Sequence, residues 1–281
     1  MHGLGNDFVL IEEDQLTPDT DLGELAKYLC DRHFGIGADG LIVVAPPDNP
    51  ELDIQFKFYN NDGSRAEMCG NGIRCFARYV KDQGLIKRHE FKVETLAGPV
   101  IPHINADSTV TVDMGKPFLH PEAIPFTGST TMPVLDVPLE VTPELTIPVS
   151  AVGMGNPHCI IFRKDVPQPL DYKVVGPLIE THPKFPAKTN VEFVDILDRH
   201  TLEVKVWERG VGPTLACGSG ACAVATAAIL KGLADSPISI KLPGGDLKIQ
   251  WNGKDHILMT GPATYVFAGM FSYVNRQAVA H

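Results

Sequence analysis

The chain has 281 residues, enough for one large domain or two moderate ones with a substantial core. Its 24 Lys and Arg face 34 Asp and Glu, a formal charge of −10, which argues against nucleic acid or an anionic membrane as the main partner. No apolar window reaches the length of a membrane span. The six cysteines (Cys30, Cys69, Cys75, Cys159, Cys217, Cys222) show neither a CxxC pair nor zinc-ligand spacing. The opening MHGLGNDFVL lacks the basic and long apolar regions of a secretory leader. Free thiols in a reducing cytoplasm, and no metal, are the expectation.

In chain order, the glycine turn GLGNDF (3–8) comes first, and residues 22–32 suit a helix. FKFYN (56–60) alternates apolar and polar residues as a half-buried strand does. It leads to MCGNGIRCFARYVKDQGL (68–85), where a helix is expected over 70–82. FKVETLAG (91–98) and VTVDMGKP (110–117) continue a strand-dominated pattern. From 117 to 148, Pro117, Pro121, Pro125, Pro133, Pro138, Pro143 and Pro148 exclude a long helix and leave short strands and turns. LTIPVSAV then precedes the turn GMGNPH (153–158), a helix is expected over 173–181, and VKVWE (204–208) reads as a strand. ACGSGACAVATAAILKGL (216–233) predicts a helix over 218–231, nearly apolar all round and therefore buried. ISIKLPGG (238–245) and HILMTGP (256–262) follow, and the tail ATYVFAGMFSYV (263–274) could return to the first domain as a strand.

These elements repeat. Cys69 falls on Cys217 at an offset of 148, and Gly70, Gly72, Gly84 and Leu85 fall on Gly218, Gly220, Gly232 and Leu233. FKFYN matches VKVWE, GLGNDF matches GMGNPH at 150, and FKVETLAG matches ISIKLPGG at 147. Ordered matches at one period indicate a duplication. The reading is a repeat over 1–117, which 263–281 could complete, and a second over 118–262. The fold class is α+β: two pseudo-symmetric repeats, each a bent, mostly antiparallel sheet around a central helix, with the active site in the cleft between them.

Each matched cysteine starts a buried helix, where unpaired N–H groups favour an anion and lower a thiol's pKa. Two thiols on opposite sides of a carbon acid are what a racemase or epimerase needs: one base removes a proton and an acid on the other face returns one. Helix-end N–H groups suit the carboxylate beside the developing carbanion. Cys75 and Cys222, further into the helices, and Cys30 and Cys159 are read as core.

HGLGNDF, FYNNDGSRAEMCGNGIRCFA, GMGNPH, TNVEF and WERGVGPTLACGSGACA closely resemble the diaminopimelate epimerase family, and the resemblance runs from near residue 1 to about 262. It implies an isomerase of two pseudo-symmetric α+β domains that interconverts LL- and meso-diaminopimelate in lysine synthesis without pyridoxal phosphate, other cofactor or metal. By resemblance Cys69 and Cys217 are the acid/base thiols. Gly70, Asn71, Gly218 and Ser219 hold the reacting carboxylate. Asn6, Asn60, Asn156, Asn190 and Arg209 bind the rest of the substrate. Glu208 accepts from its ammonium and, with His158, assists proton handling. The implied partner is small-molecule diaminopimelate, with no nucleic acid or membrane, a homodimer as the common assembly, and the plastid stroma as location if the source is a plant. One departure is Gly40 in GIGADG, where many members carry a polar amide; by the repeat it lies opposite Asn190. The short N-terminus is another.

Three alternatives stay open on the residues. A proline or hydroxyproline epimerase would use the same two-thiol chemistry, although Asn156, Asn190 and Arg209 argue against a small cyclic substrate. A cysteine hydrolase or transferase has no use for a duplicated thiol. A non-catalytic anion-binding or redox module would use the helix ends alone.

Overall fold

The computed structural model describes residues 1–166 and 169–273. The chain divides into two compact units, residues 1–110 with 262 onward, and residues 111–261. The four predicted helices form, as α1 (Leu22–Cys30), α2 (Gly70–Asp82), α3 (Tyr172–Glu180) and α4 (Gly218–Leu230).

In the first unit the sheet runs His2–Gly3, Asn6–Glu12, Gly40–Ala45, Ile54–Asn60, Arg65–Ala66, with Val93–Glu94 also on Ile54–Asn60. It is mixed: Asn6–Glu12 lies parallel to Gly40–Ala45, and Ile54 parallel to Val93. α1 supplies the crossover between the first parallel pair. Its N-cap Asp21 accepts from Gly23 and Glu24 N–H. It buries Leu25, Ala26 and Leu29 against Ile11, Leu41 and Val43. α2 packs on the same sheet, with Ile42 beneath its first turn. Covered on both sides, GLIVVA is an unbroken apolar strand.

The second unit repeats this plan in register. Phe8 pairs with Gly40 in the first unit, and His158 with Asn190 in the second, both in parallel pairs. Leu41 opposite Tyr59 becomes Val191 opposite Trp207. Ile54 beside Val93 becomes Leu202 beside Ile240. The duplication inferred from sequence offsets is thus matched by these equivalent strand pairings. α3, capped by Asp171, is the equivalent crossover and buries Val175 and Ile179. α4 touches Leu145–Gly153, Pro157–Phe162, Asn190–Asp198, Ile238–Leu242 and Gly245–Gln250. With Ala221 to Ala228 all buried, it is the central helix of its sheet.

The proline-rich stretch holds a 3-10 turn, Pro121–Ala123, and a strand, Val134–Thr142, antiparallel to Leu145–Gly153, with Pro138 opposite Pro148. The tail differs from the strand expected for 263–274. It makes one bridge, Thr264 to His2, and then continues without regular structure, because the strand it meets is only two residues long. Tyr273 packs on Tyr28 of the same unit, and residue 274 lies outside the described residues.

Candidate active site

Both thiols are helix N-caps. Cys69 Sγ accepts from Gly72 N–H at 3.4 Å, and Cys217 Sγ accepts from Gly220 N–H at 3.3 Å. Each sulfur therefore satisfies the third amide of its helix. The two amides before it, Gly70 and Asn71 in α2, Gly218 and Ser219 in α4, lie too early for an intrahelical acceptor. Each unit thus presents a thiol beside two amides at the positive end of a helix, the arrangement that receives a carboxylate.

In the first unit, Cys69 is half-buried and its Sγ faces Asn6 Oδ1 at 3.8 Å. Asn71 Nδ2 donates to the same oxygen at 3.2 Å, and Asn71 Oδ1 accepts from Arg74. Arg74 is 0 % exposed and also donates to Gly70 O and Pro262 O, so the first turn of α2 is tied down from within. Asn6 Nδ2 donates to Asp39 at 2.7 Å, and Asp39 shares Arg32 with Asp7. Asn6, Cys69, Gly70 and Asn71 come together. Asn60 sits at a strand end opposite Gly40, with its amide on Ser64 Oγ. A Cβ at Gly40 would lie 2.5 Å from the Phe58 ring and 2.8 Å from Tyr59 O, so no side chain fits there.

In the second unit, Cys217 is 6 % exposed, and Ser219 Oγ lies 3.5 Å from its sulfur. The helix end was expected to lower this thiol's pKa. Instead it stands well above its ordinary value: burial is the largest cause, Glu208 and Glu192 add to it, and Ser219 and the Gly220 N–H only partly offset them. Burial also pushes the Cys75 thiol up to about 12 and Cys30 up to about 11, as befits core cysteines. Glu208 accepts from Thr214 Oγ1 at 2.5 Å. Asn190 is buried with both amide ends on main chain, donating to Pro157 O and accepting from Arg209 N–H. Arg209 sends Nη1 to Ala187 O.

Two acids were not singled out from sequence. One is Asp39. The other is Glu192, 0 % exposed, whose Oε1 lies 2.6 Å from His158 Nδ1. The available signal was a lone acid inside the apolar strand NVEFV. His158, Glu192 and Cys217 place ligand-type atoms within 4.8 Å of one another. However, both ring nitrogens of His158 already face oxygen partners, Glu192 and Asn156, which leaves no ring lone pair turned toward a cation.

The sequence profile of the diaminopimelate epimerase family matches residues 1–119 and 150–266, leaving out most of the proline-rich stretch. The chain is 49% identical to a diaminopimelate epimerase of Desulfitobacterium hafniense over 276 residues, covering 96% of each chain. It is 50% identical to that of Moorella thermoacetica over 276 residues, covering 96% of this chain and 97% of the relative. In fold it is similar to a hydroxyproline epimerase from Agrobacterium vitis, with TM-score 0.62, 15% identity and coverage of 94% and 89%. A methylitaconate-delta-isomerase gives TM-score 0.63 at 16% identity, covering 95% and 92%. Two matched thiol-capped helices, on sheets of one register, stand in a sequence that these relatives share from end to end: the chain belongs to the diaminopimelate epimerase family and is an isomerase.

Proposed function

We propose that this chain interconverts LL- and meso-diaminopimelate by two-base proton transfer, with Cys69 and Cys217 as the bases. The carrying observation is the pair of N-cap thiols, each beside two amides that its helix cannot pair. One sulfur, as thiolate, takes the α-proton and becomes S–H. The carbanion flattens, its charge spreading into the carboxylate, which the amides of Gly70, Asn71, Gly218 and Ser219 stabilise. The opposite thiol gives its proton to the other face and becomes the thiolate. The cycle ends with the roles exchanged, as a reversible epimerisation requires. The buried, raised Cys217 fits the protonated partner at rest. Asn6, Asn60, Asn156, Asn190, Glu208 and Arg209 bind the zwitterionic distal end and the ammonium, and His158 supports proton handling. Six free cysteines suit a reducing cytoplasm. No helix among the described residues is long and apolar enough to cross a membrane.

The test is made in heavy water, with reduced protein, LL-diaminopimelate, chelator and no added cofactor. Chiral chromatography with mass spectrometry should find meso product carrying one deuterium at the α-carbon. Cys69→Ala and Cys217→Ala should each lower epimerisation by roughly 10²–10⁴-fold. Wild-type protein that neither converts nor exchanges the substrate would refute the assignment.

A further inference from the structure

The two half-sites hold equivalent asparagines in opposite senses. Asn6 spends its NH2 group on Asp39 at 2.7 Å and turns Oδ1 toward Cys69 and Asn71. Asn156 spends Oδ1 on His158 Nε2 at 2.9 Å. Its NH2 group meets no acceptor among the described residues, and the residue is half-exposed. Behind His158 lies Glu192, with Oε1 2.6 Å from Nδ1 and Oε2 buried without a partner among the described residues. A hydrogen-bonded line therefore runs from a fully buried acid, through a fully buried ring, to an amide at the surface.

The first repeat has no such line. At the repeat offset of 150, His158 stands where Phe8 stands and Glu192 where Ile42 stands. The packing agrees: a Cβ on Gly72 would meet Ile42 Cδ1 at 3.3 Å, and a Cβ on Gly220 would meet Glu192 Oε1 at 2.7 Å. Ile42 shows that this position under the helix accepts an aliphatic side chain. A buried acid with one idle oxygen is a poor choice for stability where an aliphatic one fits. The first repeat orients its asparagine with Asp39, but the matching position in the second is Thr189, whose hydroxyl is bound to Asn190 O.

We propose that Glu192 is a positioning residue of the second half-site: through His158 it holds the Asn156 amide with its NH2 group presented to the substrate. The substrate part of this rests on the epimerase reading. With the Asn156 oxygen on His158 Nε2, that nitrogen carries a hydrogen, and the 2.6 Å contact between Nδ1 and Glu192 Oε1 holds a second one. Without Glu192 the ring is free to turn or to change tautomer, and the amide is free to flip. Around Glu192 the titratable groups are His158, Cys159 and Cys217, with Glu208 acting on Cys217.

Glu192→Ile, copying the first repeat, should raise KM for LL-diaminopimelate about tenfold, a larger factor than any change in kcat, since one oriented donor is lost. Glu192→Gln still bonds Nδ1, so its KM should lie nearer to wild type than to Glu192→Ile. Asn156→Ala should raise KM as Glu192→Ile does, and the double variant should add little. Unchanged KM in Glu192→Ile, equal KM in the two Glu192 variants, or multiplied effects in the double variant would each overturn the proposal. A measurement that needs neither a variant fold nor turnover is 15N NMR of labelled histidine in the wild-type protein. It should find a hydrogen on His158 Nε2. A bare Nε2 overturns the proposal whatever the substrate proves to be.

Discussion

Cys69 and Cys217 occupy equivalent places but will not meet an alkylating reagent on equal terms. Cys69 is half-buried, whereas Cys217 is 6 % exposed with its thiol raised by burial and by two glutamates. Only the thiolate attacks, so access and ionisation both disfavour Cys217. Substoichiometric iodoacetamide near pH 8 should label Cys69 roughly tenfold faster, with Cys75 and Cys159 slower still, as peptide mass mapping would read. Equal labelling would show that Cys217 is more accessible in solution. Both thiols were legible from sequence because they recur at one offset. Their difference was not, because it depends on burial and on two strand glutamates, Glu208 and Glu192, whose distances from the sulfur only the folded sheet sets.

At the scale of elements, the first turns of α2 and α4 have the same capping but different floors. Alanine at position 220 would place Cβ 2.7 Å from Glu192 Oε1, which His158 holds in place. At position 72 it would meet Ile42, Cys69 and Phe56 side-chain atoms at 3.3–3.4 Å. Gly220→Ala should therefore destabilise by about 1–3 kcal/mol in urea unfolding. Gly72→Ala should be nearly neutral, because a helix gain of about 0.8–1 kcal/mol offsets tight contacts. A large loss in Gly72→Ala would mean that the first floor cannot yield. α2 and α4 were legible from their matched glycine turns, and the structure starts all four helices at a side-chain cap: Asp21, Cys69, Asp171 and Cys217. The tail returns to the first unit as expected but forms only a bridge there, Thr264 to His2, since strand formation also needs an edge long enough to pair with.

For the molecule as a whole, acid should loosen the first unit through Asp7. Burial alone would raise that carboxyl, but the Arg32 fork and the bonds from Asp39 outweigh it and hold it below its ordinary value of 3.8. A folded-state pKa below the unfolded one adds stability above about pH 4, and that stability is lost as pH falls through the folded value. Arg32→Ala should thus lower the urea midpoint near pH 6 and change it little near pH 2, narrowing the gap between the two conditions. An equal shift at both would mean that Arg32 acts by packing. The duplication was legible from offsets, down to which strands correspond, because inserting one residue into a paired strand would turn every side chain to the wrong face. Carrying both copies in one chain has a further consequence. In a symmetric dimer every mutation is made twice, so its two halves cannot come to differ. Here Phe8 and Ile42 can answer His158 and Glu192 across the same strand register. A single gene is thereby free to give mirror-related steps unlike surroundings.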